Sequence, residues 1–255
     1  MSAKTRKFDY RESHVNEGRG AAYDGSYREG TALGFYWQHF EKPYLEATFR
    51  SLRSRYPGGR YLDFACGTGR ILQLGASYFG AAVGVDVSDA MLDKAREKVP
   101  QAHIVKADVL NTPVDLGQFD VVTLFRFLLR AGDLREPVLR YLRGVIRDNG
   151  TLIVNNHRNA YSLRGLAYRA STTFKPNDSE YELLTDGQVE ELLNRCGFAV
   201  IERYSFGVVP SSKGRLIIPS SLLLPIERMF QAPRMLGGLA KNRIYICQPL
   251  QGMAR

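Results

Sequence analysis

Two glycines, Gly67 and Gly69, close the run Tyr61-Leu62-Asp63-Phe64-Ala65-Cys66-Gly67-Thr68-Gly69. An apolar stretch ends in an acid, and the glycines then open a segment of helical spacing. Glycine adopts positive φ at such turns and lets a ligand approach the backbone with no Cβ in the way. A helix that starts there aims its unpaired N–H groups at the ligand. The run is therefore a nucleotide cradle. A dinucleotide would need G-x-G-x-x-G/A, and Leu72 stands at the third small position. Asp63 would repel a pyrophosphate. No Gly-Lys-[Ser/Thr] follows, which excludes a P-loop. An acid beside the loop suits a ligand that carries positive charge.

Two further acids follow at matching places. Ala81-Ala82-Val83-Gly84-Val85 ends in Asp86, 17 residues beyond Gly69. A carboxylate there can accept both hydroxyls of a ribose. Ser88 is the expected N-cap of the helix that follows. His103-Ile104-Val105-Lys106-Ala107 ends in Asp108, placed to accept from an adenine amine. Three acids at the carboxyl ends of successive expected strands lie where open α/β sheets bind ligands. S-adenosylmethionine meets the requirements: an adenosine, an ammonium and a sulfonium, and no phosphate.

At these residues the chain resembles the class I S-adenosylmethionine-dependent methyltransferases, in their small-molecule and sugar O-methyltransferase-like branch. The resemblance rests on Leu62–Gly69, Gly84-Val85-Asp86-Val87-Ser88, Ala107-Asp108-Val109, Phe119-Asp120-Val121-Val122 and Arg147-Asp148-Asn149-Gly150-Thr151-Leu152. Together these cover residues 60–156. Ala65 stands where the family usually has glycine, which keeps the loop and narrows it. The resemblance implies that cofactor contacts come from Asp63, Ala65, Cys66, Gly67, Gly69, Asp86, Val87, Met91, Ala107, Asp108, Val109 and Phe125. It also implies an N-terminal tyrosine, Tyr23 or Tyr27, over the cofactor methionine.

The elements that must hold these residues alternate. Strands are expected at 60–65, 81–86, 103–107, 119–125 and 150–156, with helices near 69–79, 88–98 and 134–147. Asp133 or Glu136 is the expected cap of the last helix, with Pro137 in its first turn. This is an α/β, doubly wound, Rossmann-like sheet. Thr185-Asp186-Gly187-Gln188 starts a helix that Gly197 closes. Residues 198–209 and 243–247 read as two more strands, making seven. In the resembled family such a pair forms an antiparallel hairpin at the edge of a mostly parallel sheet. Residues 32–55 are helical by periodicity, with Pro43 as a break or a second helix start. This divides the chain into an N-terminal helical cap, 1–55, and a methyltransferase domain, 56–255. Substrate-side insertions are expected at 158–184 and 210–241. The second is helical and precedes the last strand.

Methyl transfer from a sulfonium needs alignment, exclusion of water and at most a base. Arg126, at the end of the fourth strand, is a candidate to bind the cofactor carboxylate or an acidic group of the acceptor. Phe127, Leu128 and Leu129 are equally readable as core. His157, at the end of the fifth strand, is the first candidate base, with His39 and His14 behind it. The [Asn/Asp]-Pro-Pro-aromatic motif of adenine N6 methylation is missing after the fourth strand, as is the paired-glutamate loop of protein arginine methyltransferases. Asp120 and Asp133 make no convincing metal set, so no metal is expected.

The 255 residues have a net charge of +9, 44% hydrophobic and 24% charged residues, and three scattered cysteines. These values fit a globular domain in a reducing cytoplasm without a disulfide framework. No apolar leader precedes residue 10, and no run approaches the roughly 20 apolar residues of a membrane span. Lys213, Arg215, Arg228, Arg234, Lys241 and Arg243 surround the apolar residues of the 210–241 insertion against one acid, Glu227. Such a segment suits a lid, or peripheral contact with the anionic inner face of a membrane. The acceptor expected is a small molecule, a sugar or a lipid-linked glycan. The basic residues alternate with aliphatics rather than stacking aromatics, which argues against nucleic acid. An RNA or protein methyltransferase and a non-catalytic cofactor-binding module are the alternatives.

Overall fold

The computed structural model describes residues 24–112, 114–172, 182–212, 214–231 and 237–252. The chain enters through α1 (Ala32–Tyr36), one wide π-turn (Trp37–Glu41) and α2 (Lys42–Arg55). Thr31 caps α1 by accepting from the Gly34 N–H. Pro43 falls in the first turn of α2, where its missing N–H costs nothing. It therefore starts a second helix.

The alternating core follows: β1 (Arg60–Phe64), α3 (Arg70–Ala76), β2 (Ala81–Asp86), α4 (Asp89–Lys98), β3 (His103–Lys106) and β4 (Phe119–Leu124). Then come α5 (Leu128–Ala131), α6 (Arg135–Val145), β5 (Ile146–Asn156), α7 (Leu163–Thr172), α8 (Asp186–Arg195) and β6 (Phe198–Phe206). A two-residue hairpin, β7 (Ser211–Ser212) with β8 (Arg215–Leu216), precedes α9 (Ser220–Gln231) and β9 (Asn242–Pro249).

Seven strands form one sheet in the order β3-β2-β1-β4-β5-β9-β6. All pairings are parallel except those of β9, which runs antiparallel to both β5 and β6. The expected doubly wound, seven-stranded α/β sheet is therefore present. β9 slots between β5 and β6, leaving β6 at the edge. Every residue of β4 is buried, as a parallel strand covered on both faces requires. Side chains alternate between two cores. Val122, Leu124, Leu152 and Tyr245 join α6 and α8 on one face. Val121, Ile153, Ile244 and Ile246 join α1, α2 and α3 on the other.

Several local expectations need correction. The N-cap of α6 is Leu134, without a side-chain hydrogen bond. Asp133 lies in a preceding 3-10 turn, and Glu136 instead accepts from Arg140. Ser88 does hold the N-cap position of α4, but its side chain makes no capping bond; its N–H donates to Asp86 Oδ1 at 3.0 Å. β5 begins at Ile146, four residues early, because Ile146 pairs with Phe119 across a register shift. The 210–241 segment is more than a connection, since it carries the β7–β8 hairpin and α9. Thr185 and Gln188 form a full capping box on α8.

The strand order reverses between β1 and β4. That switch point opens a crevice beyond their carboxyl ends.

Candidate active site

β1 delivers Asp63 and Phe64, and the chain then turns sharply at Ala65. Ala65 has φ +55°, Gly67 +54° and Gly69 +77°. The alternation of left-handed residues is the one that glycine favours, and Ala65 holds its place in it at some cost in strain. A Cβ on Gly67 would meet nothing within 4 Å, so its backbone faces open space. A Cβ on Gly69 would come within 3.0 Å of Ala95 Cα. Gly69 thus serves the close approach of α3 to α4, and it borders neither cavity described next.

Two clefts meet at this turn, and Ala65 and Asp86 border both. One, of about 450 Å³, is an apolar slot formed with Val87, Ala107, Asp108 and Val109. The other, of about 560 Å³, is polar and bordered by Asp63, Cys66, Gly67, Arg70, Met91, Phe125 and Arg126. All of the expected contact residues from 63 to 125 except Gly69 therefore surround one bent cavity. Tyr27 reaches it indirectly: its ring lies 3.9 Å from the Arg70 guanidinium, and its hydroxyl accepts from Arg70 at 3.1 Å. Tyr23 and His14 lie outside the described residues.

Asp63 is almost fully buried. Thr123 Oγ1 donates to its Oδ1 at 2.7 Å, and Tyr61 donates in turn to Thr123 at 2.7 Å. Oδ2 is sealed from solvent and has no hydrogen-bond partner among the described residues. Burial pushes the Asp63 carboxyl up to about 7, against the pull of Thr123 and Arg70. A cation in the polar cleft would relieve that cost. Asp86 accepts from the Gly67 N–H at 2.9 Å as well as from Ser88. It thus fixes the glycine turn while standing where the clefts join. Asp108 accepts from Asn111 at 2.9 Å at the far end of the slot. Burial also raises the Cys66 thiol well above its ordinary range.

Arg126 has φ +61°, rare for an arginine. Asn155 on β5 holds this bend by accepting from the Arg126 N–H at 2.7 Å. Glu41, 1% exposed in the π-turn, lies 3.5 Å from both Arg70 and Arg126. Trp37 covers Arg70 at 4.1 Å. Such wide turns recur at functional sites. The sequence reading did not single out Glu41, Arg70, Thr123 or Asn155. An acid set between Phe40 and Tyr44 in an aromatic helix was the one available sign for Glu41.

His157 follows β5 and borders neither cleft. Its Nδ1 is buried without a partner among the described residues. Burial, then Arg126 and Arg158, hold its pKa well below the ordinary value, so the ring is neutral at pH 7. His39 packs on Phe35, with ring centroids 4.8 Å apart. No group of three or more potential metal ligands occurs among the described residues. No helix among them is long and apolar enough to cross a membrane.

The cleft fits S-adenosylmethionine on its own features: a buried carboxyl with one oxygen unpartnered among the described residues, an open glycine cradle, and an apolar slot ended by an acid. Residues 62–150 match the family described as a methyltransferase domain. A ubiquinone/menaquinone biosynthesis C-methyltransferase of Ectopseudomonas mendocina is 35% identical over 38% of this chain and 41% of its own length. A 2-phytyl-1,4-naphtoquinone methyltransferase of Trichormus variabilis is 34% identical over 40% and 48%. The chain thus spans less than half the length of these curated relatives. The crystal structure of Synechocystis magnesium protoporphyrin IX methyltransferase with bound S-adenosylhomocysteine shares the fold, with TM-score 0.63 and 14% identity over 91% of this chain and 95% of that one. Sequence match, fold and cradle agree over this stretch: residues 62–150 match a methyltransferase domain and sit in a fold shared with an S-adenosylmethionine-dependent methyltransferase.

Proposed function

We propose that this protein transfers a methyl group from S-adenosylmethionine to a small-molecule acceptor. The observation that carries the reading is the bent cavity, polar around Asp63 and apolar beyond Asp86. The bound donor supplies an electrophilic methyl whose departure leaves a neutral thioether. Asp63 Oδ2 would accept from the ammonium, Arg70 and Arg126 would receive the carboxylate, and Asp86 would take the ribose hydroxyls. Asp108 would accept from the adenine amine, and Val87, Ala107 and Val109, which line the slot, would hold the ring. Phe125 and Tyr27 keep water from the reacting end.

The finer reading is transfer to oxygen, on a hydroxylated small molecule, sugar or lipid-linked glycan. Its candidate base is His157, a neutral ring just past β5 whose buried Nδ1 has no partner among the described residues. Transfer to carbon of a quinone is the second reading, favoured by the names of the two curated relatives. An apolar acceptor or a membrane surface is supported by Leu163 and Leu166 on α7 and by Leu222 and Met229 on α9, all at least 45% exposed.

Calorimetry with S-adenosylmethionine tests the reading. Wild type binds it, and Asp86→Ala binds at least tenfold more weakly; equal affinities would sink the cofactor assignment. Formation of S-adenosylhomocysteine with hydroxylated acceptors, against quinols, separates the two acceptor atoms and distinguishes an enzyme from a binding module. His157→Gln with most of its turnover intact would remove the base.

A further inference from the structure

The large apolar side chains left in water are not scattered. Among the described residues seven are at least 45% exposed, and six of these fall in two segments. Tyr161, Leu163 and Leu166 lie in or just before α7; Ile217, Leu222 and Met229 lie in or just before α9. The two helices repeat one pattern. Leu163, Leu166, Ala167 and Ala170 are exposed at the i, i+3, i+4, i+7 spacing of a single helical face. Leu222, Pro225, Ile226 and Met229 repeat that spacing on α9, where only Ile226 is partly covered. The packed side of α9 is Leu223 and Glu227, and the packed side of α7 includes Gly165, where a Cβ would fall 2.4 Å from the Asn159 carbonyl. Each helix thus packs by one face and offers an apolar face to water, which a soluble monomer ordinarily avoids.

Both helices stand at the carboxyl edge of the sheet, the edge where the switch-point crevice opens. α7 follows β5. Glu227 holds α9 to the backbone that leaves β6, and β6 runs in the direction of β5 because β9 is antiparallel to both. Arg164 on α7 donates to Ser211 O in the β7–β8 hairpin at 3.0 Å. Asn159 Nδ2 donates to Gly238 O, beyond α9, at 2.8 Å. These bonds tie the two segments together.

Charge says what covers them. Residues 161–172 and 210–231 hold five bases, Arg164, Arg169, Lys213, Arg215 and Arg228, and one acid, Glu227. That acid is fully buried and accepts from the Tyr36 hydroxyl as well as from backbone, so it shows no charge to water. Arg164, Arg215 and Arg228 are exposed. Apolar helix faces flanked by arginine, with no exposed acid in either segment, complement the acyl boundary and headgroups of an anionic bilayer. A second copy of the chain docked face to face would set arginine against arginine.

We propose that α7 and α9 dock this protein on an anionic lipid bilayer. Leu163, Leu166, Leu222 and Met229 enter the acyl boundary, and Arg164, Arg215 and Arg228 meet the headgroups. This sharpens the methyl-transfer reading by naming where an apolar acceptor is met, but the docking stands on burial and charge and can fail separately.

The test is co-sedimentation of the full chain with vesicles of phosphatidylcholine alone and of phosphatidylcholine mixed with phosphatidylglycerol. Wild type binds the mixed vesicles about tenfold more tightly than the neutral ones, and added salt weakens that binding. Leu222→Asp with Met229→Asp, and separately Leu163→Asp with Leu166→Asp, each weaken it about tenfold. The replaced side chains already face solvent, and a melting temperature matching wild type shows that a variant has folded. No binding to mixed vesicles, equal binding to both kinds, or wild-type binding by either folded variant overturns the proposal. A wild type that dimerises in sedimentation equilibrium and ignores vesicles gives the face to a second copy instead. The wild-type comparison decides the matter even if a variant fails to fold. S-adenosylmethionine is titrated in parallel without lipid. A chain that binds mixed vesicles but no donor refutes the methyl-transfer reading alone. A chain that binds the donor and no vesicles refutes this inference alone.

Discussion

Asp63 is a carboxyl kept out of water with half of its acceptors unused. Its pKa of about 7 lies above the ordinary value. Between the two, the native state holds a proton that the unfolded chain has released. This group therefore makes stability fall as pH rises from about 4 to 7. His157 acts in the opposite sense: its lowered pKa makes stability fall as pH drops below about 6.5. Urea denaturation of Asp63→Asn against wild type isolates the first effect. The variant is expected to be more stable at pH 8 by roughly 1–4 kcal/mol, with the gap closing toward pH 4. The same variant binds S-adenosylmethionine at least tenfold more weakly at pH 8. A variant no more stable at pH 8 would mean that the carboxylate is better solvated than its burial implies. The left-handed Ala65 and Arg126 place backbone strain at the same cleft, where rigid neighbours such as Asn155 hold it.

Elements reach this cleft because single side chains pin them. The late insertion is the clearest case. Glu227, the one acid among its many bases, is fully buried on α9. It accepts from the N–H groups of Gly207, Val208 and Val209 and from the Tyr36 hydroxyl at 2.8–3.1 Å. One carboxylate thus ties α9 to the end of β6 and to α1. Glu227→Gln turns one oxygen into a donor facing those donors. We expect a loss of about 3 kcal/mol, seen as a lower melting temperature, and faster proteolysis within 210–241. Unchanged proteolysis would show that Leu223 and its neighbours hold the helix alone. The entry segment is fixed in a different way: a Cβ on Gly34 would fall 2.2 Å from the Arg28 carbonyl. Only glycine there lets the turn bearing Tyr27 lie on α1.

At the scale of the whole molecule, the start of the chain is drawn onto the cleft built by its middle. Asp24 accepts from Thr68 at 2.7 Å and pairs with Lys98 at 2.5 Å, drawing the entry turn onto the glycine loop. Donor binding should therefore stabilise the entire fold. At a donor concentration a hundred times its Kd, linkage gives about 2.7 kcal/mol. For a domain of this size that is roughly 5–10 °C in Tm. Differential scanning fluorimetry with and without S-adenosylmethionine measures it. A shift below about 1 °C at saturation would mean that the donor binds a state no more ordered than the free one.

The sequence by itself determined the glycine turn, the three acids after successive strands, the parallel core from 60 to 156 and the capping box at Thr185. Each is written in a few adjacent residues, as apolar runs, left-handed turn positions or a cap, and so is legible without neighbours. The tertiary structure alone decided that β9 lies between β5 and β6, because strand order depends on which edge is open when the chain returns. It alone brought Glu41 to Arg70 and Arg126, across 29 and 85 residues. It alone brought Arg164 on α7 to Ser211 in the late hairpin. Pairings of that range leave no local pattern, since a charge in the sequence carries no sign of the partner that the fold will bring to it.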